Sequence, residues 1–151
     1  MNGPQGKTET SLRLTRSFGV PRERLFEAWT NPEELKNWWQ LGHGWKLSVV
    51  EVDLRVGGRY RIGLASSQGE AKHAVTGTFR EVSVPERLVY TWIVEDPRTN
   101  DQESIVTVEF HDKGSFTELV LKHDKLVNRE SRQNTYDGWL TVLVGLSRLL
   151  G

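Results

Sequence analysis

From Lys46 to Leu126 the chain alternates apolar and polar side chains in short runs: "KLSVVEVDL", "RYRIGL", "HAVTGTFREVSV", "RLVYTWIVE", "SIVTVEFHD" and "FTELVLKHDKL". Successive side chains of a β-strand leave on opposite faces, so a period of two predicts a strand for each run. Val106, Val108 and Phe110 share one face of their run, and Leu119 and Leu121 share one face of the next. The breaks are rich in turn formers: "RVGG", where Gly57 and Gly58 are expected to supply the positive φ of a tight hairpin, then Pro85-Glu86, "DPRTNDQE" and "KGS". Connections this short favour antiparallel neighbours. An earlier alternating stretch, Lys7 to Phe18 with Leu12 and Leu14 on one side, predicts a strand ahead of the set.

Elsewhere the spacing is helical. In "VPRERLFEAWT", Pro21 suits the first helical position, and Leu25 and Trp29 lie one turn apart. "NPEELKNWW" restarts a helix, with Asn31 as N-cap, Pro32 at N1 and Glu34 at the N3 position of a capping box. This helix is short, because the glycines of "QLGHG" follow it. Adjacent helical residues point about 100° apart, so Trp38 and Trp39 are not expected to share the centre of one contact. Trp38 is expected to pack deeply with Leu35, while Trp39 and Trp45 line a cavity mouth. The final segment, "SRQNTYDGWLTVLVGLSRLLG", carries an apolar arc over more than half of its wheel, including Tyr136, Trp139, Val142, Leu143, Val144 and Leu146. A surface helix needs a stripe of only about 100°, so this one must be covered on more than one side. Gly138 and Gly145 fall on nearly one line, where a strand or ligand can come close.

The order is strand, two short helices, about six antiparallel strands and a long helix. It predicts an α+β domain whose bent antiparallel sheet of six or seven strands closes around the C-terminal helix. A sheet curves more sharply than a helix, and the mismatch leaves a cavity between them. The chain has 151 residues and neither an internal repeat nor a linker, so one domain over 7–151 is expected, with a frayed polar tail at 1–6. Lys plus Arg and Asp plus Glu are 20 each. A zero net charge without long runs of one sign removes the electrostatic footprint of a nucleic-acid or anionic-membrane partner. The absence of cysteine removes disulfides, thiolate nucleophiles and Cys-based zinc sites. Neither a signal-peptide layout nor a run of membrane-spanning length is present, and a cytoplasmic location is expected.

No metal-ligand spacing links His43, His73, His111 and His123, and no cofactor motif, nucleophile elbow or phosphate loop occurs. His111 and His123 read as solvated strand-end residues. Glu33 with Glu34, and Glu51 with Asp53, read as helix-start and exposed strand positions rather than catalytic pairs. What remains is aromatic. Phe18, Phe26 and Trp29 are assigned to the core, and the candidate ligand-binding residues are Trp39, Trp45, Tyr60, Ile62, His73, Phe79, Tyr90, Trp92, Trp139 and Leu143. Large apolar walls supply burial, and a few polar groups, among them Arg61, His73, Tyr90 and Thr91, would orient a ligand.

"VPRERLFEAWTNPEELKNWW", "DLRVGGRYRI", "GTFREVSVPERLVYTW", "TELVLKHDKL" and "GWLTVLVGLSRLL" together resemble one family over about Ser11 to Leu150. It comprises the homologues of the activator of the heat-shock chaperone ATPase, in the START-like (SRPBCC) superfamily. Val56 departs from the pattern, standing where many relatives carry proline. The resemblance implies the helix-grip fold and a cavity for lipids, sterols, polyketides or hormones. The superfamily includes some cyclases, and the family's namesake regulates a chaperone. Three readings follow, in this order: a module binding a small hydrophobic molecule, a chaperone- or partner-binding regulator, and a cavity enzyme of cyclase or hydrolase type using His43, His73 or Tyr90. The chain is expected to lack the additional N-terminal domain of the namesake, which ranks the chaperone reading second.

Overall fold

The structure, a computed structural model, describes residues 11–39, 45–66, 72–95 and 103–150, apart from the side chains at 45 and 72. Strand β1 (Leu12–Phe18) leads into two short helices, α1 (Arg22–Thr30) and α2 (Pro32–Trp38). Strands β2 (Trp45–Val52), β3 (Arg59–Ser66), β4 (Lys72–Ser83), β5 (Arg87–Val94), β6 (Glu103–Asp112) and β7 (Thr117–Asp124) follow, and α3 (Arg129–Leu150) closes the chain. The strands form one curved antiparallel sheet in the order β1-β7-β6-β5-β4-β3-β2. This is the helix-grip α+β fold.

The alternation seen in the sequence becomes the inner face of that sheet. Leu14 pairs with Leu121, Leu121 with Val108 and Val108 with Leu88, so one row of the ladder runs apolar across four strands. The next row joins Leu12, His123, Val106, Tyr90 and Phe79. Register shifts between Leu47 and Val49 in β2, and between Phe79 and Glu81 in β4, mark bulges. Bulges increase local bend and twist. Of the two glycines joining β2 and β3, Gly57 takes a positive φ, at 86°, and Gly58 does not. Gly58 serves a different need: a Cβ there would collide with the Asp53 carbonyl oxygen.

Asn31 joins the two short helices. Its N–H donates to the Glu27 carbonyl at the end of α1, and its side-chain oxygen accepts from the Glu33 N–H at the start of α2. The capping box expected of Glu34 therefore does not form, because the N–H it would reach is already taken. Glu34 instead receives two hydrogen bonds from Arg24, at 3.1 and 3.2 Å. Pro21 stands one position earlier than expected, at the N-cap of α1.

Helix α3 buries Trp139, Val142, Leu143 and Leu146, while Val144, counted in the apolar arc, is exposed. The arc is covered by the sheet and also by α2. Gly145 makes that second contact possible: its α-carbon lies against the Trp38 backbone, not against a strand, and an added Cβ would overlap the Trp38 carbonyl. Gly138 has open space beside it. No helix among the described residues is long and apolar enough to cross a membrane.

Candidate functional site

The two short helices and α3 bring five tryptophans into one cluster over the inner face. Ring centroids are 5.0 Å apart for Trp29 and Trp38, 5.9 Å for Trp39 and Trp139, 5.2 Å for Trp92 and Trp139, and 6.1 Å for Trp39 and Trp92. Trp38 is fully buried and donates its indole N–H to the Ala28 carbonyl at 2.8 Å. Trp39 is buried too, with its ring 6.1 Å from that of Trp38. The two rings stay this close because the helix ends between them: Trp39 is the C-cap, with extended φ and ψ of −79° and 100°. The 100° rule applies only inside a helix.

A cavity of about 290 Å³ lies between strands β3 to β5 and the first half of α3. Trp39, Ile62, Leu64, Val75, Trp92, Val94, Trp139 and Val142 form its apolar walls, with Ala74 and Gly138 as small patches. His73, Asn134 and Thr135 are the polar residues of the lining, and no Asp, Glu, Lys or Arg lines it among the described residues. A second pocket of about 30 Å³ adjoins it, walled by Trp29, Leu35, Tyr60, Phe79, Leu88 and Tyr90 among others. Trp39, Ile62 and Trp92 border both.

The ligand candidates from the sequence divide accordingly. Trp39, Ile62, His73, Trp92 and Trp139 line the larger cavity, with His73 exposed opposite Leu64 in the ladder. Tyr60, Phe79 and Tyr90 line the smaller pocket, and their rings stack edge to face or tilted at 5.2 to 5.7 Å. Leu143 is buried in the core and borders neither. The side chain of Trp45, and His43, lie outside the described residues. Arg61 forms a two-pronged pair with Glu95, both bonds 2.9 Å, and lines neither space. Thr91 is buried and accepts from the Thr78 N–H.

Burial holds the two tyrosines of the smaller pocket in their neutral form. The Tyr60 hydroxyl donates to the Thr91 carbonyl at 2.6 Å, and burial, with Tyr90 nearby, raises its pKa. Tyr90 accepts from the Trp29 indole at 3.3 Å, and burial raises its pKa as well. Of the acidic pairs, Glu33 meets Lys36, Glu34 meets Arg24 and Asp53 meets Arg55 in ion pairs. No group of three His, Asp or Glu among the described residues is placed to hold a metal ion.

His123 is the residue that the sequence reading missed. It is not a solvated strand end but fully buried, on the inner face with Leu119 and Leu121. The Trp139 indole donates to its Nδ1 at 3.0 Å, and Ser104 Oγ stands 2.7 Å from its Nε2. An indole only donates, so Nδ1 must accept and the proton resides on Nε2. Nε2–H then donates to Ser104 Oγ, which in turn donates to the Trp92 carbonyl at 3.3 Å. Burial lowers the His123 pKa to about 3, so the ring is neutral. This relay sits behind the cavity: the Trp139 ring is both a wall and the first donor, and the Trp92 ring packs on the imidazole at 5.3 Å. The strict alternation Leu119, Leu121, His123 was the available signal.

The model of the family described as "Activator of Hsp90 ATPase homolog 1-like protein" matches residues 19–151. The chain belongs to this family. Among solved structures, a protein from Chromobacterium violaceum is 28% identical with a TM-score of 0.82, covering 93% of this chain and 97% of the other. An AHSA1 protein from Silicibacter pomeroyi is 26% identical, with a TM-score of 0.81 and coverage of 93% and 96%. A third AHSA1-like neighbour, described as an HSP90 activator from Plasmodium falciparum, is 30% identical, with a TM-score of 0.71 and coverage of 94% and 96%. No curated protein matches the chain.

Proposed function

We propose that this AHSA1-like chain binds a small, neutral, hydrophobic molecule between its sheet and α3. The observation that carries the reading is the composition of the cavity: about 290 Å³, walled by three indoles and aliphatic side chains, with no Asp, Glu, Lys or Arg among the described residues of its lining. That volume is at the lower end of small-molecule sites, roughly 300–1,000 Å³. A ligand with a formal charge would lose its hydration there without gaining a partner, which selects against it. His73, Asn134 and Thr135 would orient the ligand through hydrogen bonds, and the neutral state of the buried tyrosines suits holding rather than proton transfer. Titration with 1-aminoanthracene, a neutral fluorescent probe, tests this. Saturable binding in the micromolar range, about 8 kcal/mol, with quenching of tryptophan emission is the expected result. Absence of saturable binding overturns the reading.

A second reading rests on the Plasmodium falciparum neighbour, whose description as an HSP90 activator accompanies 30% identity over 94% of this chain. Under it, the chain raises the ATPase rate of its chaperone partner. Steady-state hydrolysis by Hsp90 with and without the chain decides: an unchanged rate at saturating chain removes it.

A further inference from the structure

Three residues, Trp39, Ile62 and Trp92, belong to the walls of both the 290 Å³ cavity and the adjoining 30 Å³ pocket. Ile62 and Trp92 are fixed in the sheet, paired with Val75 and Ser104 across their ladders. Trp39 is different: it follows the last residue of α2 in extended conformation, so its ring hangs from a chain segment and not from a sheet or helix. The pocket behind it is too small for more than a few atoms. One of its lining residues, Tyr90, nevertheless carries a hydrogen-bonding group. The Tyr90 hydroxyl accepts from the Trp29 indole, so its own hydrogen points elsewhere, and no acceptor for it is found among the described residues. A buried donor of this kind favours an acceptor atom.

We propose that Trp39 sets the length of ligand the cavity accepts, standing as a partial partition before a terminal subsite that the leading end of the ligand reaches past the indole edge and in which Tyr90 donates to an uncharged acceptor such as a carbonyl oxygen. The ligand class is thus a neutral elongated molecule that enters acceptor first. This rests on the cavity reading above. Removal of the indole widens the passage and adds the vacated space to the path, so more of the chain fits behind the acceptor end, whereas removal of the Tyr90 hydroxyl leaves the length unchanged and erases the preference for the acceptor.

The test uses the full chain and displacement of 1-aminoanthracene by two homologous series: 2-alkanones, and the 2-methyl-1-alkenes in which a methylene replaces the carbonyl oxygen. In the parent, affinity is expected to rise with each methylene and then level off. In Trp39→Ala the rise continues for two further methylenes, gaining about tenfold at the longer length. Trp39→Phe, which keeps an aromatic ring should the alanine variant fold poorly, extends the series by a smaller step. Tyr90→Phe lowers ketone affinity towards that of the matched alkene while alkene affinity holds. Levelling at the same length in the parent and both Trp39 variants overturns the partition, and an unchanged ketone preference in Tyr90→Phe overturns the subsite. If the parent binds neither probe nor ligands, the cavity reading itself falls.

Discussion

Gly138 and Gly145 occupy the same helix and the same line of it, yet replacing each by alanine should move stability in opposite directions. A methyl at Gly145 would overlap the Trp38 carbonyl oxygen and stand 3.2 Å from the carbonyl carbon and 3.4 Å from the α-carbon. Those are backbone atoms at the end of α2 and cannot turn aside as a side chain would. Relief requires α2 to move off α3, which also disturbs the Trp38 ring and its hydrogen bond to Ala28. Overpacking of this kind costs about 1–3 kcal/mol. Alanine in place of a helical glycine contributes up to about 1 kcal/mol in the other direction. At Gly138 only the second effect operates, since nothing lies within 4 Å of the added methyl. The helix-propensity gain is common to both variants, so their difference isolates the steric cost: about 1–3 kcal/mol, with Gly138→Ala the more stable. Urea unfolding of the parent and both variants measures it, and melting midpoints should separate by roughly 2–4 °C per kcal/mol. Near-ultraviolet circular dichroism of the tryptophans should change for Gly145→Ala alone. A Gly145→Ala variant as stable as Gly138→Ala would refute the close approach of the two helices.

The relay behind the cavity makes stability depend on pH. The folded His123 pKa is lowered to about 3, below the ordinary 6.5, so the unfolded chain binds the extra proton first. Stability is then complete above about pH 6.5 and falls as pH drops towards 3, by about 1.4 kcal/mol per unit, or about 2 kcal/mol between pH 6.5 and 5. The share due to His123 should vanish in His123→Leu, whose slope over that interval checks it. Trp38→Ala should cost about 3–5 kcal/mol in urea unfolding, as for any large ring removed from a fully buried site. Asn31→Ala should cost about 1 kcal/mol through loss of the α2 N-cap, because its backbone bond to Glu27 survives. Substitution by serine, which keeps a cap acceptor, should restore most of that.

The element order was legible because alternation and caps are local signals: strands β2 to β7 and the restart at Asn31-Pro32 lie close to where their patterns put them. What escaped depends on contacts between distant residues. The capping box at Glu34 was undone by a carbonyl of the preceding helix. Gly145 was read as a place where a strand or ligand comes close, because a wheel gives direction but not identity of the neighbour. The fates of Trp38 and Trp39 turned on a helix end one residue earlier than the pattern required. His123 shows the other kind of miss, in which residue type outweighed register: the period of two placed it beside Leu121, and its polarity suggested water. Trp39, Tyr60, Phe79, Tyr90, Trp92 and Trp139 were legible as aromatic positions and do border the two pockets, whereas Leu143 borders neither. Their division between two pockets was not legible, since it depends on where one indole, Trp39, comes to rest.

The chain of hydrogen bonds from the Trp139 indole through His123 and Ser104 to the Trp92 carbonyl also has a steric grammar. Apolar side chains tolerate small slides of a helix along a groove, because dispersion has little directional preference. A sequence of donors and acceptors running one way tolerates none. Advance α3 by a single residue and it rotates about 100°, carrying the indole away from Nδ1 and leaving two polar groups stranded in the interior. The penalty falls on every misplaced arrangement and not on the native one. A single imidazole thereby acts as a detent, holding the long helix to one angle and one height on a sheet whose greasy surface would otherwise accept several.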